Sequence, residues 1–345
     1  MEIPNRRNVV SAYASENILF LLEGLGGTLD LHALEPVTLE SRWTVHLRGT
    51  SGHILGLFKG KLLTAVDDDL RMIDIRDPET SKSAQTVLTT TARDGRLAHM
   101  TTDNERIYVQ GYGNADSSIF GSSDLITWNR IATSKEMDST SRHFHDVCYD
   151  RRRRCLMVTL GDGNKTRIAA SWDCGSSWDP LYTGPWQCLP ILPQETTTLF
   201  GMDSALSNGL VILDHEAQDW RVVHAKWVFG AKWKDPVHFS RLIQLDSGTL
   251  LAACAQPQVV LASQDAESWY LIDARGFPLG RGLGMDIAQG FDFVATIGGG
   301  RLNIMTIDSI RDSFMEKNLA LQKRLSLKVR TKGLAVTVRR KLRGW

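Results

Sequence analysis

The chain has 345 residues, of which 42% are hydrophobic and 23% are charged, and its formal net charge at pH 7 is +1. This composition is typical of a globular protein with a large core, built as two ordinary domains or as one large all-β array. No run of about 18 apolar residues occurs, which excludes a membrane-spanning helix.

Short strand-like runs separated by turns fill residues 1–308 in a repeating pattern. Tryptophans recur near the ends of several repeats, at Trp43, Trp128, Trp178, Trp220 and Trp269. The last four are separated by 50, 42 and 49 residues. Intervals near 40–50 residues that hold several short strands are typical of β-propeller blades. We therefore predict an all-β domain over 1–308, a β-propeller with seven blades. Six blades is the alternative if the weak first or last repeat is not a blade.

The predicted blades cover about 9–47, 53–90, 97–132, 143–182, 187–224, 237–273 and 283–307. The seventh repeat lacks an outermost strand, and we expect the N-terminal residues to supply it and close the ring.

The most informative stretch lies in the fourth repeat, where residues 171–178 have the sequence Ser-Trp-Asp-Cys-Gly-Ser-Ser-Trp. Here a short Asp side chain can accept bonds from the N–H groups of a tight turn, Gly supplies a positive φ, and Trp buries a large ring. Shorter versions occur at 122–128 and 263–269, and a degenerate one at 214–220. The pattern resembles the Asp box, or bacterial neuraminidase repeat, of sialidase-like β-propellers, where it is a structural element.

After about residue 308 the hydrophobic period changes from 2 to 3.6. Apolar residues at 310, 314, 321 and 325 share one helical face, which predicts a helix over 309–326 with Asp308 or Ser309 as its N-cap. We expect this helix to pack against the propeller rather than to be solvated on all sides.

A second, basic amphipathic helix is predicted over 334–345, with disorder as the alternative. Residues 311–345 hold 11 Lys and Arg against 2 Asp and Glu, a net charge of +9, which leaves −8 on residues 1–310. The tail of 309–345 is therefore expected to bind an anionic membrane surface or an acidic protein, and no nucleic acid. Its predicted membrane-binding residues are Arg339, Arg340, Lys341, Arg343 and Trp345.

Basic residues recur where each repeat enters its first strand. In a propeller these entry loops line one face of the central channel, where rigid blades position them. The candidate ligand-binding residues, with the related position His53, are Arg96, His99, Arg142, His143, Asn208, His238, Arg241 and Arg281. Arginines bind carboxylates bidentately, so the set predicts a site for an anionic ligand. The alternative is that these side chains bind neighbouring loop carbonyls and acids.

Acidic candidates at the same face are Asp146, Asp162 and Asp203, and the candidate catalytic residues are His145, Asp162 and Asp203. A carboxylate pair across a pocket suits glycoside hydrolysis, whereas turn aspartates commonly form Asx turns. His143 and His145 at i and i+2 share a strand face and suit acid–base chemistry or metal binding, but no third ligand is visible nearby. We therefore predict no metal and no cofactor.

A wider resemblance covers about residues 95–275. Residues 143–150, 156–163, 168–178 and 200–213 look like those of a group of bacterial Asp-box propellers, some of which belong to surface-polysaccharide loci. The sequence has no Arg-Ile-Pro motif near its start and no clear Tyr–Glu nucleophile pair, so sialidase activity proper is not expected.

The resemblance implies a propeller that recognises or processes an acidic carbohydrate during bacterial surface-polysaccharide (capsule, lipopolysaccharide or exopolysaccharide) biosynthesis. The alternatives are a glycoside hydrolase or lyase that uses the channel Asp and His residues, and a non-catalytic protein-interaction scaffold. The five cysteines have no metal-ligand spacing, and no secretory signal is found. We therefore predict a cytoplasmic protein, peripheral on the inner membrane through its basic tail.

Overall fold

The computed structural model describes residues 8–77, 84–113, 116–162, 165–203, 209–227, 238–255, 258–276 and 285–315. How deeply a strand is buried depends on its position in the sheet. The second strand of the fourth sheet, Cys155–Leu160, is buried along its whole length, whereas the outermost strand of the first sheet, Ser41–Arg48, alternates exposed and buried residues. This difference arises because the middle strands are covered on both faces by neighbouring sheets, while the outer strands face solvent on one side.

Seven antiparallel sheets follow one another along the chain. Sheets one and two contain β1 (Val9–Ser15), β2 (Ile18–Leu25), β3 (Thr28–Leu34), β4 (Ser41–Arg48), β5 (Gly52–Phe58), β6 (Lys61–Val66), β7 (Asp69–Asp74) and β8 (Gln85–Thr89). Sheets three and four contain β9 (Arg96–Thr102), β10 (Ile107–Tyr112), β11 (Ser118–Ser122), β12 (Asn129–Thr133), β13 (Phe144–Asp150), β14 (Cys155–Leu160), β15 (Thr166–Ser171) and β16 (Asp179–Gly184).

The remaining sheets have four, five and three strands. Sheets five and six contain β17 (Cys188–Pro193), β18 (Thr197–Met202), β19 (Gly209–Asp214), β20 (Asp219–His224), β21 (Lys226–Trp227), β22 (Phe239–Gln244), β23 (Leu250–Cys254), β24 (Gln258–Ser263) and β25 (Ser268–Gly276), with β21 pairing parallel to β25 at the edge of sheet six. Sheet seven contains β26 (Asp286–Gln289), β27 (Phe293–Gly298) and β28 (Arg301–Thr306).

The sheets form a closed ring. The first strand of each sheet contacts the first strand of the next, and β26 of the last sheet contacts β1 of the first. A hydrogen bond of 3.2 Å from Val9 N to Gly300 O joins the two ends of the ring. The fold is thus a seven-bladed β-propeller, as predicted. Blade seven has three strands among the described residues, and the N-terminal residues expected to complete it, 1–7, lie outside them.

Seven clusters of buried apolar side chains fill the seven junctions between neighbouring blades. Four of the recurring tryptophans pack toward the preceding blade, namely Trp128, Trp178, Trp220 and Trp269. Trp43 instead packs in the junction between blades one and two, on the other face of its own sheet. Burial of these large rings between sheets stabilises the ring of blades.

The Ser-x-Asp turns connect the third and fourth strands of blades three, four and six. In blade four, Asp173 Oδ1 accepts from Ser177 N at 2.8 Å and from Ser171 Oγ at 2.7 Å. Gly175 has a φ of 94°, and a Cβ there would lie 2.2 Å from Ile131 Cγ2, so this position requires glycine. The equivalent acceptors in the other turns, including the degenerate one of blade five, are Asp124, Asp214 and Asp265. These turns lie at the outer part of each blade and tie its last two strands together.

Two helices accompany the blades. The helix α1 (Ser134–Met137) follows blade three, and its cap residue Thr133 forms a reciprocal capping box with Glu136. The helix α2 (Ile307–Met315) follows blade seven, and Thr306 Oγ1 accepts from Ser309 N at 3.1 Å. The cap of α2 is therefore Thr306, because the helix begins two residues earlier than the sequence pattern indicated.

Helix α2 packs against the propeller through Ile310, which is 1% exposed and joins the core between blades six and seven. Residues 316–345, with the predicted membrane-binding residues, lie outside the described part of the chain. Among the described residues, no helix has the length and apolar character needed to cross a membrane.

Candidate functional site at the propeller channel

A pocket of about 380 Å³ opens at the face where the chain enters the innermost strands. Its walls come mainly from the first strands and entry loops of blades one, two, three, six and seven, with Ala65, Tyr112 and Ile297 added from second strands, so it lies at the axis of the ring. Its charged or titratable lining residues are His53, Asp67, Arg96, His99, Tyr112, Arg241 and Asp286. Three of the predicted ligand-binding residues, Arg96, His99 and Arg241, are therefore brought together here with His53.

The two arginines of the pocket differ in their surroundings. Arg241 Nη1 lies 3.2 Å from Asp286 Oδ1, so its charge is shared with a carboxylate of the next blade. Arg96 is exposed, and no carboxylate of the described residues lies within 4 Å of its guanidinium group. Arg96 is thus the cation of the pocket that is available to an incoming anion.

His53 and His99 are neutral at pH 7. Burial is the main reason that the pKa of each imidazole is lowered from 6.5 to about 4; the charge of Arg241 contributes to this shift and that of Asp286 opposes it. Ser11 Oγ accepts from Ile54 N at 3.0 Å and lies 3.2 Å from His53 Nδ1, to which it can donate. A neutral imidazole can both donate and accept hydrogen bonds, which suits a ligand with hydroxyl groups.

Behind His99 lies Asp146, the first of the acidic candidates. Its Oδ1 is 3.4 Å from His99 Nδ1, and its Oδ2 accepts from Ile191 N at 2.9 Å. Burial raises the pKa of this carboxyl to about 7. Asp146 therefore links blades three, four and five.

A second cluster joins blades three and four next to the pocket. His143 Nε2 lies 3.6 Å from Asp162 Oδ1, and His145 Nε2 lies 3.8 Å from the same atom. Arg142 Nε donates to Asp162 Oδ2 at 3.1 Å. Tyr112, which also lines the axial pocket, places its ring 4.4 Å from that of His143. Burial lowers the pKa of both histidines, so both are neutral at pH 7.

The remaining catalytic candidate, Asp203, pairs with His238. Asp203 Oδ1 contacts His238 Nδ1, and Asp203 Oδ2 accepts from Gln187 Nε2 at 3.3 Å. The charge of Asp203 opposes the lowering of the His145 pKa and adds to the raised pKa of Tyr112, which burial mainly causes. The predicted ligand-binding residues Asn208 and Arg281 lie outside the described residues.

Four residues of this face were not predicted from the sequence, and one of them is Asp67 of the pocket wall. Asp286 begins the innermost strand of blade seven beside Arg241, and Tyr112 ends the second strand of blade three beside His143. Ser11 reaches the pocket region from blade one through His53. Asp286 could have been predicted, because it lies at a blade entry like the other candidate residues, whereas neither Tyr112 nor Ser11 belongs to a recognisable sequence pattern.

Comparisons with known proteins agree on the fold. No protein-family model matches the sequence, and no curated protein matches it. Solved structures that are similar include the extracellular domain of the putative one-component system BT4673 from B. thetaiotaomicron (10% identity, 88% of this chain, TM-score 0.59) and PorZ of Porphyromonas gingivalis, an essential bacterial surface component of the type-IX secretion system (9% identity, 90% of this chain, TM-score 0.60).

A third similar structure is YCF48 bound to D1 peptide, with 11% identity, 89% of this chain covered and a TM-score of 0.58. The chain spans 39% of the BT4673 chain, 48% of the PorZ chain and 96% of the YCF48 chain. Identities this low establish the architecture alone, because a propeller supports many unrelated activities. By its fold, the chain is a seven-bladed β-propeller with a pocket at the axis that is lined by two arginines, two histidines and two aspartates among apolar residues.

Proposed function

We propose that the chain is a sialidase-like, Asp-box β-propeller that binds an acidic saccharide in the axial pocket. The observation that carries the proposal is the convergence of Arg96, Arg241, His53 and His99, from three different blades, on one pocket of about 380 Å³. This volume lies in the range of small-ligand sites, about 300–1,000 Å³.

The chemistry of the lining favours an acidic sugar over a simple anion. Arg96 supplies a bidentate donor for a carboxylate, and Arg241 supplies a second one that Asp286 holds in place. The neutral imidazoles and the carboxylate of Asp286 supply partners for hydroxyl groups, whereas the carboxylate of Asp67 already accepts from Thr50 and Ser51. A ligand with one negative charge and several hydroxyl groups can therefore pair with the arginines through its charge and with the other polar side chains through its hydroxyls.

The proposal is tested by thermal-shift titration with sialic, glucuronic and galacturonic acids and with their neutral counterparts. A ligand that binds the native state raises the melting temperature by mass action. We expect a shift with at least one acidic sugar, and its loss in Arg96→Gln. Arg42→Gln is the matched control, because Arg42 is an exposed arginine of β4 paired with Glu35. Equal shifts in the two variants, or no shift with any sugar, would contradict the proposal.

We place this binding activity in bacterial surface-polysaccharide assembly at the inner membrane. The support is the resemblance of residues 143–150, 156–163, 168–178 and 200–213 to propellers linked to such loci, together with the net charge of +9 on residues 311–345. Flotation of the full chain with anionic vesicles, compared with a variant in which the four basic residues of 339–343 are replaced by Gln, tests the membrane part. Flotation that is equal in both proteins, or absent with anionic lipid, argues against it.

A glycoside hydrolase or lyase is the second candidate. The observation in its favour is that Asp162 Oδ1 lies 3.8 Å from His145 Nε2 while Asp203 pairs with His238, so that two carboxylates and two imidazoles share the entry face of the ring. Turnover of an acidic oligosaccharide that is lost in Asp203→Asn, with saccharide binding retained, supports catalysis. Binding without turnover of any glycan supports a recognition module.

A further inference from the structure

We propose that His143, His145 and Asp162 form a binding site for one divalent transition-metal ion beside the axial pocket. One nitrogen of each histidine and one carboxylate oxygen of Asp162 lie within 4.8 Å of one another. The sequence analysis predicted no metal because no third ligand was visible near the two histidines. The fold supplies that ligand from the loop after β14.

The two histidines are buried without the partners that buried polar groups normally have. His143 is 2% exposed and His145 is 4% exposed. Among the described residues, neither ring nitrogen of His143 makes a hydrogen bond of normal geometry, although the backbone of Gly113 is close enough to raise its pKa, and His145 Nδ1 has no partner. Most buried polar side-chain atoms have a partner, so three such nitrogens in one cluster indicate a missing ligand.

The remaining nitrogen of His145 is arranged as in a metal-binding histidine. His145 Nε2 lies 2.7 Å from Gly161 O, and a carbonyl oxygen only accepts, so Nε2 carries the proton. The lone pair of His145 is therefore on Nδ1, the atom without a partner. Ligating histidines typically donate their other N–H to a carbonyl or carboxylate in this way.

Asp162 is held in position by groups that are not ligands. Arg142 Nε binds Asp162 Oδ2 at 3.1 Å and leaves Oδ1 3.6 Å from His143 Nε2. Oδ1 is also 3.8 Å from His145, measured to its protonated Nε2 and not to the lone-pair atom Nδ1. Gly161 precedes Asp162 with a φ of 89°, and a Cβ there would lie 2.4 Å from Lys165 O. Glycine thus permits the tight loop that carries the carboxylate to the histidines.

The donor set defines the class of ion. Two imidazoles and one carboxylate suit Zn²⁺ and related first-row divalent ions, and three protein ligands leave a position for water or a ligand oxygen. Ligand bonds of about 2.0–2.2 Å place neighbouring ligand atoms roughly 3.3 Å apart, so metal binding draws the three side chains together. Tyr112 lies against His143 and also lines the axial pocket, so the ion would be next to the pocket.

The test is calorimetric titration of the chelator-treated full-length chain with Zn²⁺, with Co²⁺ absorption as a second readout. We expect one tightly bound ion per chain, and d–d bands of nitrogen and oxygen coordination without an intense near-ultraviolet thiolate band. Asp162→Asn and His143→Gln are expected to weaken binding by more than about 100-fold. Arg142→Gln is expected to weaken it by about 10- to 100-fold, as for groups that orient metal ligands.

The matched control is His46→Asn, because His46 is an exposed histidine that also pairs with an aspartate, Asp30, at 2.7 Å. This variant should bind Zn²⁺ as the wild type does. Circular dichroism without metal checks folding, and Asp162→Asn keeps the test decisive if His143→Gln does not fold, since Asp162 lies in a loop and is about one-third exposed. Wild-type affinity in Asp162→Asn, thiolate bands with Co²⁺, or binding lost in His46→Asn would overturn the proposal. None of these readouts depends on the saccharide site.

Discussion

Trp269 is expected to contribute far more to stability than Trp172, although both belong to the Ser-x-Asp pattern. Trp269 is 1% exposed in the junction between blades five and six, where its ring packs 5.7 Å from that of Phe239. Its Nε1 also donates to Ala266 O at 3.0 Å. Trp172 is 54% exposed.

The magnitude follows from these contacts. Removal of a buried Trp side chain typically costs about 3–5 kcal/mol of unfolding free energy, from lost burial and from the cavity left behind. Trp269→Phe keeps an aromatic ring beside Phe239 but loses the hydrogen bond to Ala266, so we expect a cost of about 1–2 kcal/mol. Trp172→Ala should change the unfolding free energy by less than about 0.5 kcal/mol, as is usual for exposed positions.

Thermal unfolding followed by far-ultraviolet circular dichroism measures the difference. At about 2–4 °C per kcal/mol for large domains, Trp269→Ala should lower the melting temperature by the order of 10 °C, and Trp172→Ala by no more than about 2 °C. Similar melting temperatures for the two alanine variants would refute the reasoning, because they would mean that the junction between blades five and six does not limit the stability of the ring.

Three further predictions concern the channel face. Stability should fall as the pH is lowered from 6.5 towards 4, because His53 and His99 have pKa values of about 4 in the folded protein and near 6.5 in the unfolded chain, which therefore binds more protons in this window. The melting temperature of His53→Gln should depend less steeply on pH than that of the wild type. An unchanged dependence would contradict the lowered pKa of His53. Affinity for an acidic sugar should rise as the pH is lowered from 7 to 5.5, because a bound anion favours the imidazolium form of His53 and His99, whereas affinity for a neutral sugar should not change. Calorimetry that finds no pH dependence for the acidic sugar would count against an anion beside these histidines. In urea unfolding, Gly161→Ala should destabilise the protein by more than Gly248→Ala. Both glycines have positive φ, of 89° and 83°, but the added Cβ would lie 2.4 Å from Lys165 O at position 161 and would have no atom within 4 Å at position 248. Equal losses of unfolding free energy would show that the loop after β14 relaxes freely.

The sequence was sufficient to predict the blades because each blade repeats a local pattern. Apolar strand runs, polar turns and an Asp turn with its Trp recur at nearly constant intervals, and each feature depends on residues close together in the chain. Trp43 shows the limit of this reasoning. It fits the interval but packs on the other face of its sheet, and a side-chain period of two means that one residue of register decides the face.

The site was harder to predict because it is assembled from distant parts of the chain. Arg96, His99 and Arg241 were identified by their place at blade entries, and the fold brings them to one pocket. The pairing of Arg241 with Asp286 spans 45 residues, and no local pattern indicates it. The same reason explains the missing metal ligand: Asp162 is 17 residues from His145, and the two meet because β14 returns antiparallel to β13.

The chemistry of the molecule is concentrated at one face of the ring. Every blade supplies a polar or charged residue to this face, whereas the Ser-x-Asp turns and their tryptophans tie together the outer strands and the junctions. Because the junction cores fix the blades relative to one another, side chains from separate blades can hold one ligand without reordering the backbone. Tyr112 connects the two parts of the face, since it lines the axial pocket and lies against His143. A saccharide longer than one unit that leaves the pocket on the side of blades three and four would therefore contact Tyr112 and then the His143–His145–Asp162 cluster, so that chain length as well as charge would govern its recognition.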